Sequence, residues 1–230
     1  MSTASATRLS LPPTATLLVV DVQQGFDDVA YWGPRNNPGA EANVERLLAA
    51  WRAAGRPVAH VVHDSRHPAS PLHPGQPGNA PKSEAAPLPG EPVYHKAVNS
   101  AFIGTALDAD LRRAGVDTLV VVGLTTNHCV STTTRMAGNL GFETYLVSDA
   151  TATFDRRGPD GRTFPAALVH AVALGDLHGE FATVVTADAL LGALAGARGA
   201  PAGASAPALA EAATPAAPAL AGAPAGVGAP

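Results

Sequence analysis

The chain has 230 residues, enough for one ordinary domain plus a tail, and 46% of them are hydrophobic against 15% charged, ample material for a buried core. A formal charge of −4 leaves no basic excess to hold phosphates, which excludes nucleic acid as the main partner. The single cysteine, Cys129, excludes an intramolecular disulfide framework and any cysteine-rich zinc module, and fits a reducing compartment.

The first apolar run stops at Asp21 and has only Arg8 before it, which is no secretory signal. Nowhere do roughly 20 apolar residues follow one another as a membrane span requires. The expectation is a soluble, cytoplasmic protein with no membrane partner.

Residues 14–195 alternate strand-like and helix-like stretches. TATLLVVD (14–21) reads as a strand closed by a charge. A helix follows, capped by Asn36 or Asn37, with Val44, Leu47, Leu48 and Trp51 at helical spacing until Gly55. RPVAHVVHD (56–64) is the next strand. A Pro- and His-rich loop runs to about residue 91 and is long enough to serve as a lid or binding surface. EPVYHK (91–96) is a short strand, and 103–115 a helix with Leu107 and Leu111 on one face. VDTLVVVG (116–123) is the most apolar strand; 127–140 reads as a helix, 141–149 as a strand, 164–177 as a helix and 180–186 as the last strand. Strands joined through helices of this length imply an α/β three-layer sandwich, a mostly parallel sheet with helices on both faces. Near-continuous apolar runs agree, because such strands are buried on both sides.

From residue 199 to the end, Ala, Pro and Gly fill 26 of 32 positions. Such a segment buries too little apolar area to offset its ordering entropy. The expected organisation is a domain over 14–195 and a disordered Ala/Pro/Gly-rich tail over 196–230.

In an open parallel sheet, ligands collect outside the carboxyl ends of the strands. Three reactive residue types stand at such ends: Asp21, Lys96 and, after the strongest strand, Cys129 in GLTTNHCV (123–130). A thiol is a poor nucleophile until ionised, and a helix N-terminus with a nearby lysine lowers its pKa from about 8.5. Asp21 is placed to take the thiol proton and later activate water, and backbone N–H groups at Cys129 and the preceding turn to hold an oxyanion. Together these describe acyl transfer through a thioester. Each residue alone has an ordinary alternative: a buried structural thiol, a turn cap, a solvated lysine. Their joint appearance favours catalysis.

Around this trio, Phe26, Trp32 and Phe102 are candidates to enclose a small substrate, and Gln23, Asn99 and Thr126 to bind its amide groups. His63, His67 and His73 are too irregularly spaced for a metal site and read as a polar loop; no metal is assigned. His128 reads as a helix-end residue whose ring points away from the chemistry.

The segments DVQQGF (21–26), KAVNSAF (96–102) and VVGLTTNHCVSTT (121–133), in that order on a β/α background, resemble the isochorismatase-like cysteine hydrolase superfamily. The resemblance spans about residues 14–191. It implies Asp21 as general base, Lys96 as its electrostatic partner and Cys129 as nucleophile. It further implies a cis peptide between Leu124 and Thr125, with the N–H groups of Thr125 and Cys129 as the oxyanion hole. It implies no organic cofactor, and a homodimer or homotetramer.

Relatives that cleave the vinyl ether of isochorismate lack the cysteine, so Cys129 points to the amidohydrolase branch and C–N cleavage of a small amide, carbamoyl or ureido compound. His63-Asp64-Ser65-Arg66-His67 followed by His73 departs from the metal-binding nicotinamidase pattern. The rivals are a metal-assisted nicotinamidase-type amidase, an isochorismatase-type hydrolase of a non-amide substrate, and a non-catalytic binding protein tethered by its tail.

Overall fold

The structure, a computed structural model, describes residue 9 and residues 11–197; the expected tail lies almost wholly outside the described residues. In chain order the elements are β1 (Thr16–Val20), a single helical turn α1 (Val29–Trp32), α2 (Ala40–Ala53), β2 (Val58–His63) and β3 (Val93–Lys96). There follow α3 (Leu107–Arg113), β4 (Thr118–Leu124), a π-helical turn (Thr126–Val130), α4 (Ser131–Asn139) and β5 (Glu143–Ala152). A hairpin of β6 (Arg156–Arg157) and β7 (Thr163–Phe164) precedes α5 (Ala166–Leu177), β8 (Thr183–Val185) and α6 (Ala187–Ala197). Among the described residues, no helix is long and apolar enough to cross a membrane.

Six strands form one parallel sheet in the order β3-β2-β1-β4-β5-β8. Every residue of β1 and of β4 is buried, and their alternation explains why neither shows a polar face. Leu18, Val20, Leu119 and Val121 join Leu107 and Leu111 of α3, Ala137 of α4 and Leu177 of α5 in one core. Leu17, Val19, Val120 and Val122 point the other way, into Val44, Leu47 and Trp51 of α2 and Leu190 of α6. Two cores on opposite faces of one sheet make the three-layer α/β sandwich that the apolar runs predict.

The chain starts in the middle of the sheet, builds outward through β2 and β3, then returns to add β4 on the other side of β1. The strand order therefore reverses between β1 and β4, and a crevice opens there at the carboxyl edge. The two strands meet closely: a Cβ on Gly123, whose φ is +119°, would fall 1.9 Å from the Val20 carbonyl oxygen.

Several local expectations need correction. Asn36 and Asn37 do not cap α2, whose N-cap is Gly39. Instead Asn36 Oδ1 accepts from the Thr153 N–H (2.7 Å), and Asn37 Nδ2 donates to the carbonyls of Ser148 (3.0 Å) and Thr151 (2.8 Å), tying this loop to β5. The helix expected over 127–140 is a π-helical turn followed by α4. α1, the 156–164 hairpin and α6 have no counterpart in the sequence reading. α6 begins where Asp149 Oδ1 accepts from the Ala187 N–H (2.8 Å), a cap supplied from 38 residues away.

The 65–90 loop is anchored along its length. Lys82 N–H donates to the Val22 carbonyl (2.9 Å), and Asn79 Nδ2 to the carbonyls of His63 (3.1 Å) and Leu72 (2.9 Å). Lys82 also reaches Glu41 Oε1 (2.7 Å), which Arg35 grips through both carboxylate oxygens (2.8 and 2.9 Å). Burial alone would raise the Glu41 carboxyl, but Arg35 and Lys82 bring it down to about 2.

Because its folded pKa lies below the unfolded value of about 4.3, this carboxylate stabilises the fold fully above that value. The contribution disappears as pH falls toward 2. The melting temperature is therefore expected to drop between pH 5 and 2, and Glu41→Gln to flatten that slope in a thermal melt series. Gly123→Ala is expected to destabilise by about 3 kcal/mol or more, since it meets backbone rather than a movable side chain; urea unfolding checks this against Gly55→Ala, where a Cβ meets nothing within 4 Å.

Candidate active site

Asp21 follows the last residue of β1 and sits in the left-handed region with φ +51°, a conformation Asp tolerates better than most residues. Its carboxylate turns into the crevice between β1 and β4. Lys96 ends β3, two strands away, and its Nζ reaches Asp21 Oδ2 at 2.6 Å with both side chains fully buried. The Lys96 ammonium also donates to His63 Nδ1 at 3.1 Å, from the end of the intervening strand β2. Three neighbouring strand ends thus deliver one linked group of side chains.

Cys129 comes from the other side of the switch. The Leu124–Thr125 peptide is cis, as the family resemblance implies, and the π-helical turn carries Cys129 on to the start of α4. The Cys129 sulfur, an Asp21 carboxylate oxygen and a His63 ring nitrogen lie within 4.8 Å of one another. The thiol also approaches Asn99 Oδ1 at 3.8 Å. Thr133 Oγ1, from α4, donates to the Asn99 carbonyl at 3.5 Å and accepts from the Ala101 N–H at 3.1 Å, fixing this segment. The structure thus brings Asp21, Lys96 and Cys129 together, and Thr125 sits at the turn between β4 and the thiol.

The electrostatics differ from the sequence expectation in one respect. Burial pushes the Cys129 thiol up, to about 12, and the adjacent Asp21 carboxylate adds to the rise, while Lys96 opposes it. Proximity to a helix start and a lysine does not leave a thiolate at rest, because the ammonium is already matched by Asp21. Burial alone would also depress the Lys96 ammonium, yet Asp21 and Cys129 hold it above its ordinary value. The His63 imidazole is pushed down by burial and by Lys96, and so stays neutral. The resting state is a cation, an anion and a neutral thiol. One carboxylate oxygen, Asp21 Oδ1, is buried with no hydrogen-bond partner among the described residues, which leaves it open to accept a proton.

The residues expected to line the pocket divide into two groups. Phe26 and Trp32 pack with Phe154, ring centroids 5.0 to 6.1 Å apart, in a small apolar cluster with Leu72 and Leu124, and Trp32 Nε1 donates to the Gly25 carbonyl at 2.8 Å. Asn99 is exposed beside the thiol. Phe102 is half-buried and stacks on Phe142 at 5.9 Å. Gln23 and Thr126 serve the interior instead. The fully buried Gln23 amide donates to the His63 and Asn79 carbonyls (3.1 and 2.8 Å) and accepts from the His63 N–H (3.0 Å). Thr126 Oγ1 lies 2.9 Å from His170 Nδ1 beneath the nucleophile turn.

His63 is a site residue that the sequence reading weighed only as a metal ligand and gave no role. Its signal was its place at the end of β2, between the strands that supply Asp21 and Lys96. His63, His67 and His73 do not converge: His67 is exposed, and His73 Nδ1 turns to the Pro74 carbonyl at 2.7 Å. Asp21, His63 and Cys129 form the one group of potential metal ligands among the described residues. The Lys96 ammonium already bonds both Asp21 and His63, so a metal ion would have to displace a buried cation, and this donor set does not suit one.

Comparison with known proteins fits this geometry. The Isochorismatase domain model matches residues 15–189. Over 175 residues the chain is 49% identical to the isochorismatase family protein YrdC of Bacillus subtilis, covering 76% of this chain and 93% of that protein. It is 31% identical over 225 residues to the ureidoacrylate amidohydrolase RutB of Methylobacterium radiotolerans, covering 83% of each. The crystal structure of a hydrolase of the isochorismatase family from Chromobacterium violaceum superposes with a TM-score of 0.79 at 47% identity, over 84% of this chain and 98% of that one. On fold, on the arrangement at the strand ends and on these similarities, the chain belongs to the isochorismatase family of hydrolases.

Proposed function

We propose that the protein hydrolyses the C–N bond of a small amide, carbamoyl or ureido compound through a thioester on Cys129. The observation that carries this reading is the Asp21 carboxylate: one oxygen is bound to Lys96 at 2.6 Å, the other is unpartnered, and the group lies within 4.8 Å of the thiol. A carboxylate fixed in that state is a base waiting for a proton. Similarity to an amidohydrolase supports the same chemistry.

As the substrate carbonyl arrives, the Cys129 proton passes to Asp21 and the sulfur bonds to the carbonyl carbon. The N–H groups of Thr125 and Cys129 receive the oxyanion. Asp21 then returns the proton to the leaving nitrogen, the C–N bond breaks, and ammonia or an amine departs. Asp21 next takes a proton from water, the hydroxide attacks the thioester, and the sulfur leaves as thiol on receiving that proton. Lys96 holds Asp21 in place and offsets its charge throughout. Every proton is accounted for within the site, so the cycle needs no organic cofactor.

Cys129→Ala is expected to lower turnover at least about 1,000-fold while leaving the fold intact; ammonia release over a panel of small amides and ureido compounds checks this, and full activity in the variant would overturn the reading. Asp21→Asn is expected to lower turnover about 100-fold or more. The same change removes an anion that raises the thiol pKa, so iodoacetamide should label Cys129 faster near pH 8 in Asp21→Asn than in the parent. A rate of labelling equal to or below the parent's would show that Asp21 does not govern the thiol.

A further inference from the structure

We propose that His63 is a positioning residue, which holds the Lys96 ammonium in place while negative charge passes from Asp21 to the Cys129 sulfur. The inference rests on the amidohydrolase reading above and adds to it a side chain that itself reacts with nothing. It begins with how the ring is fixed. His63 ends β2, where the parallel register sets it opposite Lys96. Both of its main-chain polar groups are taken. Gln23 Oε1 accepts from its N–H (3.0 Å), while Gln23 Nε2 and Asn79 Nδ2 donate to its carbonyl (3.1 Å each). Gln23 is itself fully buried, so the backbone that carries the ring is held by a neighbour of Asp21 and not by Lys96.

An ammonium can only donate, so in the 3.1 Å contact with Lys96 Nζ it is His63 Nδ1 that accepts. Burial and Lys96 keep the ring uncharged, and its one proton therefore stays on Nε2. Lys96 Nζ carries three protons at the end of a fully buried side chain. Asp21 Oδ2 takes one at 2.6 Å, and His63 Nδ1 a second. Two fixed acceptors define the direction of the third N–H. The Cys129 sulfur lies within 4.8 Å of an Asp21 carboxylate oxygen and of a His63 ring nitrogen, and the third N–H is directed to it.

The role of this contact in the reaction follows from charge. At rest the ammonium is matched by the carboxylate. When the thiol proton moves to Asp21, the carboxylate becomes neutral and the sulfur becomes the anion, so the ammonium must change partners without moving away. His63 stays bonded to it and neither gains nor loses charge in the step. A carboxylate at position 63 would hold the ammonium against the claim of the sulfur and raise the thiol further. An aliphatic side chain there would leave a buried N–H without an acceptor. A neutral imidazole avoids both. The same contact serves thioester hydrolysis, where the sulfur again carries charge as it leaves.

The test compares His63→Leu, which removes the acceptor, with His63→Asn, whose side-chain oxygen takes the place of Nδ1. On an amide that the parent cleaves, kcat is expected to fall about 30-fold in His63→Leu and to recover to within about 5-fold of the parent in His63→Asn, with KM changed less than about 3-fold in both. Iodoacetamide labelling of Cys129 near pH 8 needs no substrate; it is expected to slow about 5-fold in His63→Leu and less than about 2-fold in His63→Asn. Equal effects of the two changes in either measurement, or none from His63→Leu, overturn the proposal. Circular dichroism melts establish that each variant folds; where His63→Leu does not, His63→Phe replaces it, keeping a ring and losing the nitrogen. Nitrogen-15 NMR of the histidine-labelled parent reads the contact in the unaltered site: His63 is expected with a bare Nδ1 and a proton on Nε2 near neutral pH, and a proton on Nδ1 overturns the proposal. Turnover separates the two readings. Labelling rates and tautomer as expected in a protein that cleaves no amide would leave the positioning role and sink the amide chemistry. Amides cleaved by His63→Leu at the kcat of the parent would leave the chemistry and sink the positioning role.

Discussion

The Lys96–Asp21 pair is the constraint on which the site depends. Both side chains are fully buried at 2.6 Å, and neither ion would be tolerated there alone, since breaking a buried pair leaves a charge that costs about 3–5 kcal/mol. The pair spans β3 and β1 with β2 between them, so the registry of three strands is read out in one contact. His63 completes it by accepting the ammonium's second bond. The pair therefore ties strand registry to the charge balance at the carboxyl edge. Stability and chemistry therefore share the same atoms.

Around that pair the architecture does comparatively little. Two apolar cores hold the sheet, and the reversal of strand order between β1 and β4 opens the crevice. The cis peptide at Leu124–Thr125 and the π-helical turn then bring the chain back over the opening. Thr126 bonds to His170 below the turn, while Thr153 bonds to Asn127 beside it. The nucleophile turn is held by side chains from α5 and from the segment just after β5, which carry none of the reacting groups.

How much of this is legible in the sequence depends on range. TLLVV and TLVVVGL announce buried parallel strands because burial on both faces leaves no polar alternation to confuse them. Asp21, Lys96 and Cys129 are legible because strand ends in such a sheet share one edge. What escapes is whatever is decided across distance. Gln23 and Asn99 are both amides beside the motifs, yet one is locked into the main chain of β2 and the other stands exposed, and only the fold separates them. Asn37 has the chemistry of a helix cap, but residues more than a hundred positions away offered its amide better acceptors. α6 goes unread because the side chain that caps it, Asp149, lies 38 residues away. His63 looks like one of several loop histidines until β2 is placed between β1 and β3.

The buried, protonated thiol has a consequence for survival as well as for catalysis. Peroxide and other oxidants attack thiolates, and susceptibility follows ionisation and exposure. Cys129 offers neither at rest: it is 8% exposed, and burial and Asp21 keep its proton on. With no second cysteine in the chain to form a disulfide and rescue a sulfenic acid, oxidation of this sulfur would be hard to reverse from within. Keeping ionisation contingent on a substrate's arrival makes the sulfur reactive toward carbonyls while it stays a poor target for the oxidants met between turnovers.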